Sequence, residues 1–153
     1  MSNMLRNRMD HESYRKLMAI DNAALHAFVT DAVELCDPDS VWVSSDAAED
    51  MAYTRQMAVR LKEERPLKTE GHTIHFDGIN DQGRDRGTTK YLVPKNETLG
   101  KALNQIEREE GLAEIRGLLK GSMKGRIMCV RFLTLGPNHS AFSIPCVECT
   151  DSF

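Results

Sequence analysis

The residues with the greatest chemical potential lie in "GHTIHFDGINDQGRDRGTTKYLVP", Gly71 to Pro94. Gly78 and Gly83 have the spacing of the two glycines in a phosphate-binding P-loop, but that loop continues with Lys and then Ser or Thr, and here Arg84 and Asp85 follow. Without the lysine and the magnesium-binding hydroxyl only the glycines match, so a nucleotide cradle does not fit. What remains is a basic cluster. Arg84, Arg86 and Lys90 stand against Asp85 in a chain whose net charge is −3. Gly83 and Gly87 flank the two arginines and let backbone approach a ligand closely. Arginine presents a planar fork of donors that matches a carboxylate or phosphate in bidentate fashion. Two readings fit these residues: a clamp for an anion, or a solvated loop whose arginines pair with Asp81 or Asp85.

Other candidate groups are weaker. His72 and His75 have a metal-ligand spacing that works on a helix, but the surrounding residues read as a strand, where an odd separation puts them on opposite faces. Cys146 and Cys149 form a C-x-x-C, which suits a redox pair or half of a zinc site. No second close Cys/His pair completes the zinc set, and "FSIPCVECT" again reads as a strand, so these are expected to be structural cysteines on opposite faces. Asn96 and Thr98 make a formal glycosylation site, without meaning in a cytoplasmic chain.

The elements that must position the loop follow from periodicity. From Asp21 to Cys36 apolar residues recur at Leu25, Phe28, Val29, Ala32, Val33 and Cys36, which predicts an amphipathic helix ended by Pro38. "SVWVSS" predicts a short strand. Asp46 followed by Glu49 resembles a capping box opening a helix to about Glu64, with a buried stripe of Met51, Thr54, Ala58 and Leu61. A strand over His72–Phe76, the loop over Asp77–Gly87 and a strand over Thr88–Val93 come next. Helices are expected from about Glu97 to Glu109 and from about Leu112 to Lys120. "RIMCVRFLTL" and "AFSIPCVECT" predict two more strands around the turn "GPNHS". Residues 1–20 carry no such signal and are expected to be a flexible lead-in. The sum is an α/β fold with a mixed central sheet flanked by helices.

At 153 residues, 41% of them hydrophobic and 28% charged, the chain suits one globular domain able to bury roughly 68–70% of its unfolded surface. The acidic balance argues against a general nucleic-acid binder. No apolar run approaches the ~20 residues that span a bilayer, and the polar N-terminus has no signal-peptide core, so the expectation is a cytoplasmic protein without a membrane partner. "CVECTDSF" stops in a strand-like run, as a piece of a longer protein would.

Two stretches are similar to a known family. "FVTDAVELCDPDSVWVSSDAAED" resembles the opening of GTP-dependent phosphoenolpyruvate carboxykinases, and "GSMKGRIMCVRFLTLGPNHSAFSIPCVECTDS" resembles the family's "MKGRTMYV…GP…S…TDS" region more closely still. Between them, "HTIHFDG" and "DQGRDRGTTKYL" look like the archaeal-type branch. The resemblance runs from about Asp21 to Phe153, strongest at its two ends.

The resemblance implies a two-lobed enzyme of gluconeogenesis, much longer than this chain, that converts oxaloacetate and GTP to phosphoenolpyruvate, GDP and CO2 with Mn2+ or Mg2+. It implies that residues 21–153 are the substrate-side N-terminal domain, lacking the family's metal ligands, P-loop, reactive cysteine and guanine pocket, and therefore without catalytic, metal or nucleotide sites of its own. It partners the missing C-terminal domain. The family's N-terminal lobe supplies a substrate arginine in an "ARxES" loop. "GRDRGTTKYLV" occupies that place, so Arg84 takes the arginine position. Arg86 is the rival, because it and Gly87 stand where the family has an acidic residue and a serine. The alternative to the enzyme fragment is a stand-alone anion-binding or regulatory module using the same loop without catalysis; a purely structural interaction domain is the third reading.

Overall fold

The computed structural model describes residues 3–76 and 88–153. In chain order the elements are α1 (Asn3–Arg8), α2 (His11–Met18), α3 (Ala23–Cys36), β1 (Ser40–Val43), α4 (Ala48–Arg60), β2 (Arg65–Pro66), β3 (Thr73–Ile74), β4 (Tyr91–Val93), β5 (Gln105–Glu107), α5 (Arg108–Leu119), β6 (Ile127–Leu135) and β7 (Ile144–Thr150). The chain divides into two compact units. One takes residues 1–74 and 121–153, and the other residues 75–120, inserted in sequence between the two halves of the first.

The first unit is built on a mixed sheet of order β1-β6-β7, with β1 and β6 parallel and β6 and β7 antiparallel. Val41, Val43, Met128 and Val130 share one face and pack with Leu17, Val29, Val33 and Cys36 from α2 and α3. Trp42 points to the other face, where it stacks on Tyr53 of α4 at 4.7 Å and on Phe153 at 5.8 Å. Helices thus cover both faces of β1 and the start of β6, which is why Met128, Cys129 and Val130 are buried in succession. The expected α/β class with a mixed sheet is present. The remaining strands pair outside that sheet, as an antiparallel β2–β3 ladder and a parallel β4–β5 ladder.

What aligns β1 with β6 is the end of α3. Asp37 adopts the left-handed conformation (φ 52°) and its N–H donates to Val33 O at 3.0 Å, which stops the helix. Two carbonyls left over at that end are taken by a turn far along the chain: Gly121 N–H donates to Leu35 O at 2.8 Å and Met123 N–H to Cys36 O at 2.9 Å. Asp39 then accepts from Gly125 N–H at 2.9 Å and donates its own N–H to Arg126 O at 3.0 Å, and the strands run on from there in register.

Residues 3–18 are packed, which corrects the flexible lead-in expected over 1–20. Leu5 and Leu17 are fully buried, Asp10 caps α2 by accepting from Ser13 N–H, and Arg8 pairs with Asp37 at 2.9 Å. Short helices with few apolar residues give little periodicity to read, yet Leu5, Met9, Ser13 and Leu17 recur every fourth residue and all are buried.

In the second unit α5 packs on β4 and β5. A Cβ on Gly111 would come within 2.4 Å of Leu92 Cδ2 and 3.0 Å of Ile106 Cγ2, so any larger residue there makes those side chains shift. The helix expected over Glu97–Glu109 does not form. Asn96 and Gly100 take positive φ, the Gln105 side chain ties down the turn by accepting from Leu99 N–H at 2.8 Å, and Gln105–Glu107 extends into β5. Glu107 caps α5 by accepting from Glu109 and Glu110 N–H at 3.1 Å.

If the N-terminal helices belong to the core, Leu17→Ala should destabilise the protein by about 2–5 kcal/mol in urea unfolding. A loss below about 0.5 kcal/mol, the range of surface substitutions, would mean that this segment is not load-sharing.

Candidate functional site

Arg84 and Arg86, the predicted anion ligands, lie with Asp81 and Asp85 in residues 77–87, outside the described residues. The frame that follows them is described. Lys90 pairs with Glu114 of α5 at 3.6 Å, and Tyr91–Val93 enters the parallel ladder with Gln105–Glu107, Val93 being buried. Residues 91–93, which follow in sequence, therefore form a strand held from one side by β5 and from another by α5. His72 and His75 flank the two-residue β3 and are both exposed; the strand they were expected to share contains neither. Among the described residues no group of three His, Cys, Asp or Glu side chains is placed to hold a metal.

Sequence reading missed a second polar centre, at the C-terminal end of β1. Lys16 Nζ lies 2.8 and 2.7 Å from the two Asp50 oxygens and 3.1 Å from Glu12. Asp50 also accepts from Ser45, from its N–H at 2.8 Å and its hydroxyl at 2.5 Å. Burial alone would raise the Asp50 carboxyl, but the hydrogen bonds from Lys16 and Ser45 outweigh it and hold the group below its ordinary value. Burial likewise opposes the charge on Lys16, and the Asp50 and Glu12 carboxylates reverse that and raise it. Lys16 and Asp50 are 34 residues apart, so no local spacing announced the pair.

Beside this network a cleft of about 660 Å³ is lined by Arg15, Ser44, Asp46 and Arg131 among others. Arg131 gives hydrogen bonds to Cys129 Sγ at 3.3 Å and Ser152 O at 2.9 Å. A charged residue inside the apolar run "RIMCVRFLTL" was the one visible signal for this site. The cleft presents cationic donors and hydroxyls, with the Asp46 carboxylate among them.

The cysteine pair reads as expected. Opposite partners place Cys149 with Val130 on the core side and Cys146 with Leu133 on the other, and both are free thiols. Burial first, then the neighbouring Cys36 and Cys129 sulfurs, pushes the Cys149 thiol up to about 11, so it carries little thiolate at neutral pH.

The buried ion pair makes a pH-resolved prediction. A lowered carboxylate contributes stability above its ordinary value of 3.8 that disappears as pH falls through the lowered value; the raised lysine contributes below 10.5 and its share disappears at higher pH. Asp50→Ala should therefore cost about 3 kcal/mol at pH 7, because it removes the acceptor that Lys16 and Ser45 share and leaves the ammonium with the exposed Glu12 carboxylate as its remaining partner. The gap between wild type and variant should narrow below pH 3.8. A gap of constant size from pH 7 to about pH 3 would show that the ion pair is not its source.

Comparison with known proteins places the chain. Residues 27–153 match the family described as phosphoenolpyruvate carboxykinase N-terminal domain. Proteins named phosphoenolpyruvate carboxykinase (GTP) from Thermococcus kodakarensis and Pyrococcus abyssi are each 45% identical to it over 148 residues, and one from Saccharolobus solfataricus is 44% identical over the same length. Each alignment takes in 97% of this chain and 24% of the relative, so the chain spans about a quarter of the length of the proteins it matches. The likeness reaches into the N-terminal helices, beyond the stretches that first suggested it. By the match over residues 27–153 and by this identity, the chain belongs to the phosphoenolpyruvate carboxykinase N-terminal domain family.

Proposed function

We propose that this chain is the substrate-side lobe of a GTP-dependent phosphoenolpyruvate carboxykinase, contributing an arginine clamp for the carboxylate or phosphate of its substrate. The observation that carries the reading is the 45% identity over nearly the whole chain to proteins that bear that name. In the reaction, oxaloacetate loses CO2 to leave an enolate, and the enolate oxygen then bonds to the γ-phosphorus of GTP as the bond to GDP breaks. A divalent metal, Mn2+ or Mg2+, neutralises charge on the oxygens in transfers of this kind. GTP and the metal are held by the remainder of the polypeptide, and the 153 residues alone are inactive.

The work left to this chain is positioning. Holding a substrate in a reactive geometry contributes several kcal/mol to catalysis without any bond made to the protein. A guanidinium can grip both oxygens of a carboxylate and fix the direction in which the enolate oxygen points. Arg84 is the residue in that role and Arg86 its rival. The parallel β4–β5 ladder and the Lys90–Glu114 pair hold the strand that follows these residues in sequence. Among the described residues no helix is long and apolar enough to cross a membrane.

The test uses the full-length enzyme that carries this chain. Arg84→Lys keeps the charge and loses the fork. With a charge-assisted hydrogen bond worth roughly 1.5–3 kcal/mol, kcat/KM for oxaloacetate should fall about tenfold to a hundredfold with little change in Tm. A crippled Arg86→Lys beside a normal Arg84→Lys would shift the clamp by two residues, and normal activity in both would refute it.

A further inference from the structure

The central sheet has two edges, and they are finished differently. On the β1 side, Met9 forms a parallel bridge with Val41, and Val43 N–H donates to Ser13 Oγ at 3.2 Å, so the N-terminal helices close that edge. On the β7 side no described strand or helix does the same.

Alternation decides which groups the bare edge offers. Ser44 N–H donates to Val130 O at 2.9 Å, so the Val130 peptide groups face β1. Those of Cys129, Arg131, Leu133 and Leu135 then face β7, where their partners are Thr150, Glu148, Cys146 and Ile144. The peptide groups of Pro145, Val147 and Cys149 consequently point away from the sheet. Pro145 has no N–H and blunts one end. Val147 and Cys149 each present an N–H and a C=O with no partner among the described residues. Unpaired strand edges are ordinarily blunted along their length, because they recruit other strands.

Apolar surface surrounds the same hairpin. Leu135 is 62% exposed, Ile144 56% and Phe142 83%. A groove of about 530 Å³ runs between the start of α3, at Leu25 and Phe28, and the hairpin residues Phe132, Pro145 and Val147. A strand laid along β7 would turn alternate side chains toward that groove.

We propose that the outer edge of β7, over Val147 to Cys149, seats an additional β-strand supplied by the part of the carboxykinase polypeptide outside these 153 residues. This inference rests on the family reading. The relatives carry about three quarters of their length beyond the part matched here, as a single chain. A strand tethered to the same chain acts at a local concentration on the order of millimolar, which favours it over a second copy of this protein. The hydrogen bonds fix the strand along the edge, and the groove selects apolar side chains at every second position.

Amide hydrogen exchange tests the proposal, comparing the full-length enzyme with the 153-residue chain. Exchange at Val147 and Cys149 should be at least about a hundredfold slower in the full-length protein, while Cys146 and Glu148, already bonded to β6, change less. Val147→Pro, which removes one outward donor and leaves the β6 ladder intact, should lower the Tm of the full-length enzyme more than that of the short chain. Equal exchange in the two proteins overturns the proposal. So does protection in the short chain that grows with its concentration, since the occupant is then a second copy. Carboxykinase activity of the same full-length sample separates the two readings: an active enzyme with an unprotected edge refutes the strand alone, and a folded but inactive one refutes the family function.

Discussion

Everything in the larger unit depends on the C-terminal end of α3. A helix end leaves carbonyls without partners, and burying them unpaired costs about 1–3 kcal/mol each. Here Leu35 and Cys36 find their donors in Gly121 and Met123, across a stretch that contains α4 and the whole of the second unit. The closure entropy of so long a loop grows only with the logarithm of its length, so the second unit is inserted at modest thermodynamic cost. Once the turn at Gly121–Arg126 is docked, β6 has no choice of register against β1. The "MKGR" run that looked like a family signature is, in physical terms, the device that joins the two halves. Gly125 at φ 77° and Gly121 at φ 67° supply backbone conformations that side-chain-bearing residues rarely adopt.

This division of labour bears on function. The two compact units, one built on the β1-β6-β7 sheet and the other on β4, β5 and α5, each have their own packing. The arginine-bearing stretch lies in sequence between β3 of the first unit and β4 of the second. The Lys16–Asp50–Ser45 network has the opposite character: its charges are mutually satisfied, so it holds α2, β1 and α4 together and leaves little to offer a ligand.

Much of this was legible in the sequence. α3 appeared within two residues of its predicted start because its apolar period is regular and Pro38 follows its end. The strands β1, β6 and β7 were found from β-branched runs. The errors have identifiable causes. α4 buries Asp50, Met57 and Ala58 and exposes Met51 and Leu61, because the charge partner Lys16 turned an acidic residue inward against the hydrophobic ranking. Asp46 does not cap it: the N-cap residue is Ala47 and no side chain caps the helix, while Ser45 Oγ accepts from Ala47 N–H at 3.3 Å just before it. Phe28 reads as core by period but is half exposed on the groove beside β7. The helix predicted over 97–109 failed to a side chain, Gln105, whose hydrogen bonds no propensity scale contains. As for the site, two arginines between glycines were visible at once, and the role proposed for them came from family likeness.

The most direct test of the central claim is a titration of the isotopically labelled 153-residue chain with phosphoenolpyruvate, followed by NMR at the arginine side chains and the loop amides. The account predicts that millimolar ligand shifts Arg84, with its neighbours from Gly83 to Gly87, and leaves Arg15 and Arg131 in place. Shifts confined to the Arg15 and Arg131 cleft, with Arg84 and Arg86 unmoved, would contradict it.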